Sequence, residues 1–251
     1  MNNENTILIH NGVITEQKLS SDFANIEFMT VATGLEIEVP ENTVVREPLM
    51  IIYTGDNSVK MVNNITLAAH GVLNVSQIIL SDADFALACN IELAGKGAES
   101  EVKTIAIASG IQKNKIAVKI ENLAPHTTAN IVNHGVLQDE AHLAFDGTGK
   151  IHKGMHGSDA QQETRILNLS KTAQATANPF LLIDEGDITA GHAASIGPID
   201  EEQIYYLMSR GMNRAQAGKL IVSGFLMPFI DAIGDETMRE ELIAKIEQKL
   251  R

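Results

Sequence analysis

Residues 101–122 read EVKTIAIASGIQKNKIAVKIEN, and the alternation within them decides the fold. From Lys115 to Asn122 every second residue is Ile, Val or Asn, while the places between carry Lys, Ala and Glu; Glu101 and Lys103 flank Val102 in the same way. A period of two belongs to a strand with one buried face. The charges do not interrupt it, so one face is wet and the other is packed.

The same unit recurs in both directions. Upstream stand MVNNITLAA (61–69), VLNVSQIIL (72–80) and FALACNIELA (85–94); downstream stand TTANIVNHGVL (127–137), HLAFDGTGKI (142–151), TRILNLS (164–170) and FLLID (180–184). Each is about the length of an ordinary strand. Earlier runs at Thr6–Ile9, Ile26–Val31, Leu35–Val39 and Pro48–Tyr53 lie between Asn, Asp, Gly and Pro, which are turn residues. The connections are too short for crossover helices, which excludes a doubly wound α/β fold. With 4% aromatics and frequent Ala, Gly, Ser and Thr, a narrow stack of coils fits better than a sandwich filled with large side chains. The reading is a mainly β protein, a parallel β-helix over residues 1–196 with a C-terminal helical segment over 197–251. An antiparallel sandwich is the second choice. Solenoids need protected ends, so the helical tail is expected to cap the C-terminal end.

That tail opens at Gly197-Pro198-Ile199-Asp200-Glu201-Glu202. Asp200 is placed to cap a helix whose first turn is acidic, with Ile204, Leu207 and Met208 as its apolar stripe and Gly211 as its stop. Asn213 is placed to cap a second helix carrying Ala217, Leu220, Ile221 and Phe225, and a third begins near Asp235 with Leu242, Ile243 and Ile246 on one face.

Composition narrows the function. At 251 residues and a net charge of −13, the chain can bury a full core and is a poor match for nucleic acid or anionic lipid. The start, MNNENTILIH, lacks the pattern of a secretory signal, and no run reaches the length of a membrane span; a cytoplasmic location is expected. The single cysteine, Cys89, excludes an internal disulfide framework. In an alternating run it reads first as a small buried residue; its sharper reading, a thiolate ligand, needs exposure and a nearby base such as Lys96. His126, His134 and His142 recur every eight residues, but the turn residues between them argue against a metal ladder. His152 and His156 share a glycine-containing loop without the setting that aims two rings at one metal. Neither a full phosphate-binding loop nor a nucleophile elbow is present. His192 lies between Gly191 and Ala193-Ala194, where small neighbours leave an imidazole accessible to a metal or a proton.

One stretch resembles a known family. His192-Ala193-Ala194-Ser195-Ile196-Gly197 leads through Ile199-Asp200 to Tyr205-Tyr206-Leu207-Met208-Ser209-Arg210-Gly211-Met212. Ala217-Gly218-Lys219-Leu220-Ile221-Val222-Ser223-Gly224-Phe225 follows. Together they are similar to the C-terminal core of the SufB/SufD family, scaffold subunits of the SUF iron–sulfur cluster assembly machinery. The strong match runs from about residue 145 to 230. The resemblance implies a right-handed parallel β-helix that pairs with a second SufB/SufD-type subunit. It also implies helices that dock a SufC-type ABC ATPase through Ile204, Tyr205, Tyr206, Leu207, Ser209, Arg210, Gly211, Leu220, Gly224 and Phe225. A transient iron–sulfur cluster would form at the subunit interface, with His192, and less directly Cys89, as candidate ligands and no catalytic residues. The absence of cysteine after Cys89 and the neutral flanks Gly191 and Ala193 are SufD-like. Against the longer members of the family, a minimal form without their N-terminal helical domain is expected, which could be a homodimer rather than the SufD half of a heterodimer. The rival is a β-helical enzyme acting on an acidic or carbohydrate substrate through paired carboxylates such as Asp146 and Asp159.

Overall fold

A computed structural model describes residues 5–230 and 236–250. Its strands run in the order β1 (Asn5–His10), β2 (Val13–Lys18), β3 (Glu27–Val31), β4 (Gly34–Val39), β5 (Leu49–Thr54), β6 (Val59–Leu67), β7 (Val75–Ile79) and β8 (Phe85–Leu93). They continue with β9 (Glu99–Ala108), β10 (Lys113–Asn122), β11 (Thr128–Leu137), β12 (His142–Ile151), β13 (Ser158–Asn168), β14 (Gln174–Ile183) and β15 (Ile188–Pro198). Helices α1 (Glu201–Ser209), α2 (Arg214–Ile230) and α3 (Glu236–Lys249) follow.

Consecutive strands from β4 onward alternate between two sheets. Sheet I is ordered β15-β13-β11-β9-β7-β5-β1-β2, and sheet II is ordered β14-β12-β10-β8-β6-β4-β3. Neighbours from β5 to β15 pair in parallel, each with the strand one coil away: Leu49 lies beside Val75, Lys113 beside His142, and His142 beside Gln174, so a coil takes 26 to 32 residues. This is the expected parallel β-helix with irregular repeat.

Inside the coils, alternate residues are buried along each middle strand, as in Leu143, Phe145 and Ile151 of β12. The space is narrow. A β-carbon on Gly135 would stand 2.6 Å from Leu143 Cδ2 and 2.9 Å from Phe145 Cε2, so the large Phe145 ring on sheet II has room only because sheet I carries a glycine opposite it. Amides also enter the interior, which the apolar pattern did not suggest. Asn63 donates to the Tyr53 hydroxyl at 2.6 Å, and Asn133 to Thr164 on the next rung at 3.2 Å; hydrogen bonds of this kind offset the cost of burying them.

The two ends differ. At the N-terminal end, β1–β2 and β3–β4 are antiparallel hairpins, and β2 was not evident as a strand from its own composition. The signal for it was Asn11-Gly12, whose φ values of 51° and 80° are those of a tight hairpin turn that twists with its strands. At the C-terminal end, β15 and β14 are the last strands of their sheets, and both are largely exposed.

The helices begin and stop as expected. Glu202 N donates to Asp200 Oδ1 at 2.8 Å, Gly211 takes φ +96°, and Asn213 and Gln216 exchange two 2.9 Å bonds at the start of α2. Asp235 lies outside the described residues. The expected C-terminal cap is a correction: α2 and α3 turn back and lie on the outer face of sheet I. There Val222, Leu226, Ile230, Leu242 and Ile246 form a second core with Met50, Ile52, Ile78, Ile105 and Ile107. That face of sheet I carries enough Ile and Met to need a cover, whereas the inward places of the last coil mix Ala175, Ala177, Ala190 and Ala194 with fewer large residues. Burial therefore favours the face over the end.

Candidate functional site

His192 sits in the middle of β15 and is exposed. Its register partner is Gln162, which is buried, so the imidazole occupies an inward-facing place in the last coil. Nothing among the described residues stacks beyond it, and the ring is reached through the open mouth of the solenoid. Gln162 below it donates to the Phe180 carbonyl of β14 at 2.7 Å, tying the two last strands across the axis. On this last coil Ile196 takes an inward place and is 47% exposed, while Phe180 and Leu182 face outward from sheet II and are 48% and 49% exposed. Beside it, a groove of about 500 Å³ is lined by Glu101, Gln161, Glu163, Gly191 and His192.

Cys89 is elsewhere. It lies on β8, with β10 and β12 between it and the last strand of sheet II. The side chain is wholly buried, and burial pushes the thiol up to about 12 against a smaller opposing hydrogen bond with Gln77. The thiolate reading needed exposure and Lys96 nearby, so Cys89 is corrected to a core residue, and it does not meet His192.

The other histidines scatter. His126 lies in a corner turn at φ +57°, edge-on to His156 at 5.0 Å. His134 faces α2, and His142 opens β12 on the outside of sheet II. His152 meets Glu121 at 2.7 Å. Burial alone would raise the Glu121 carboxyl, but Lys119 and His152 hydrogen-bond to it and Lys150 adds charge, which together hold it at about 2. Among the described residues no group of three or more His, Cys, Asp or Glu is gathered to hold a metal. The carboxylates of the enzymatic rival do not pair either. Asp146 contacts Lys115 and Asn178 on sheet II, while Asp159 accepts from Gln161 on sheet I.

The docking residues divide by exposure. Tyr205 and Tyr206 are 76% and 56% exposed, and the Arg210 guanidinium lies 5.3 Å from the centre of the Tyr206 ring. Ser209, Gly211, Leu220 and Gly224 are also exposed, and Leu207 is half-buried. Two expectations are corrected. Ile204 is buried beneath α1, and Phe225 stacks on His134 at 4.4 Å, so both brace the helices from within.

Fold and site together define a class: a parallel β-helix whose accessible chemistry lies at an uncapped end, flanked by helices that show aromatic and basic side chains to solvent. Within that class, the chain belongs to the SufBD core family. The family model described as SUF system FeS cluster assembly, SufBD core domain, matches residues 9–225. The chain is 39% identical over 173 residues to the iron–sulfur cluster assembly protein SufD of Bacillus subtilis, covering 69% of this chain and 40% of that protein. It is 30% identical over 203 residues to a SufBD family protein of Mycobacterium tuberculosis, covering 75% and 51%. With a SufBD family protein of Mycobacterium leprae it shares 28% over 254 residues, covering 95% and 61%. The chain thus spans about half the length of these relatives. No helix among the described residues is long and apolar enough to cross a membrane.

Proposed function

We propose that this chain is a scaffold subunit of a SUF-type iron–sulfur cluster assembly complex. It pairs end to end with a second SufB/SufD-type subunit, itself or another, and carries a SufC-type ABC ATPase on α1 and α2. The open last coil with His192 in its mouth is the observation that carries this reading. A sheet edge left bare invites another strand, and pairing there would bring the His192 imidazole of one subunit against ligands from its partner. This chain supplies no accessible thiolate among its described residues, so the sulfur ligands of any nascent cluster come from sulfide, the partner subunit or the recipient protein. In this reading the cluster is cargo, and the protein's own chemistry is to hold one ligand in place and keep the interface together.

Anaerobic reconstitution with iron and sulfide tests the site. In the complex with its partner subunit, His192→Ala is expected to lose most of the cluster absorbance while thermal unfolding stays unchanged, because the ring is exposed and packs against little. Equal absorbance from the variant removes His192 from the site.

A further inference from the structure

His134 has a setting unlike that of the other seven histidines. It stands on the outer face of β11, under α2, with the Phe225 ring parallel to it at 4.4 Å and 12° and the Phe229 ring tilted against it at 4.4 Å and 55°. Its Nδ1 lies 3.2 Å from the Phe225 carbonyl oxygen, a contact that requires a proton on Nδ1. The neutral ring therefore leaves Nε2 bare.

Pro228 lies one turn beyond this contact in α2. Proline has no N–H to give the carbonyl four residues earlier, and its ring crowds that turn. The α2 ladder thus lacks its bond to the Gly224 carbonyl, next to the Phe225 carbonyl that the imidazole meets. We propose that His134 is an acid-labile clasp: its neutral ring seats α2 on sheet I between two phenylalanines, and proton uptake by that ring loosens the α2–α3 pair from the solenoid. The clasp stands whether or not the helices carry an ATPase.

The charges around the ring support the sign. Its strand neighbours are Ile105 on β9 and Arg165 on β13. Arg165 pairs with Glu163, and farther along β9 Lys103 pairs with Glu101 at 2.7 Å. Residues 220–230 of α2 contain no ionisable side chain. Burial holds the His134 pKa below the ordinary histidine value; the bond to Phe225 opposes this, Arg165 adds to it and Glu163 offsets it. A histidine with a depressed docked pKa contributes stability that is complete above its undocked pKa, near 6.5. That contribution is lost as pH falls through 6.5 toward the docked value.

Hydrogen exchange measured by mass spectrometry from pH 8 to pH 5, corrected for intrinsic rates, tests the clasp on the full chain. The expected result is that protection of α2 peptides falls several-fold relative to β9 peptides as the pH drops. His134→Phe keeps the stacking without the proton, and His134→Gln keeps a donor without titrating; in both, the pH dependence of α2 is expected to flatten. Protection of α2 that does not change with pH in the natural chain overturns the proposal. So does a pH dependence that persists in whichever variant remains folded.

Discussion

Truncation after Pro198 is expected to give an insoluble chain, although all fifteen strands remain. The helices look like an appendage in the sequence, but α2 and α3 cover Met50, Ile52, Ile78, Leu80, Ile105, Ile107 and Val136. Burial of one such side chain contributes about 1.5–3 kcal/mol. Exposing seven costs on the order of 10 kcal/mol, comparable to the whole net stability of a domain. It also bares an apolar patch on a flat sheet, which is an aggregation surface. Expression and sedimentation of residues 1–198 against the full chain check this. A soluble, monomeric truncated chain with an unchanged melting temperature would show that the second core is dispensable. Deleting the tail is for the same reason a poor test of ATPase docking, because binding and folding would fail together.

Docking is better tested on the side chains that the solenoid does not use. Tyr206 and Arg210 form an exposed aromatic–cation pair at the end of α1. Tyrosine and arginine are the residue types that dominate interface energetics, at about 2 kcal/mol or more each when central. The double variant Tyr206→Ala, Arg210→Ala is expected to weaken binding of the cognate ABC ATPase by roughly 30-fold or more, since about 1.4 kcal/mol is tenfold in affinity. Its melting temperature should stay within about 2 °C of the natural chain, as exposed substitutions usually cost little. Calorimetric titration with the purified ATPase decides the matter. Unchanged affinity places the docking surface elsewhere, and a collapse of both affinity and melting temperature in this variant would mean that α1 is part of the core.

The strands were legible because their period of two survives charge, and the caps at Asp200 and Asn213 were legible because a cap is a local device. The place of the helices was not. Leu242 and Ile246 announce an apolar face, but whether it covers the solenoid's end or its flank depends on which surface of the solenoid is the more apolar. That surface is assembled from residues on successive coils (Ile52, Ile78 and Ile105) far apart in sequence. That Phe225 packs inward, away from the docking residues it was grouped with, was hidden for the same reason: its partner, His134, lies 91 positions away. The hairpin at Asn11-Gly12 had a local signal and could have been read. The burial of Cys89 follows from its alternation, which proved the better guide than its chemistry. For His192, accessibility was legible from its small neighbours, while its inward register opposite Gln162 and the open mouth above it needed the coil count.

In the proposed assembly the uncapped coil holding His192 is a joint between subunits. Native mass spectrometry of the SUF complex, with the natural chain and with Ala194→Arg in the same coil, tests it most directly. Ala194 is exposed and next but one to His192, so the arginine should leave the fold intact while placing a charge in the joint. The natural chain is expected with a second SufB/SufD-type subunit, and the Ala194→Arg chain without one but still bound to the ATPase. Recovery of the same two-subunit mass from both would contradict it.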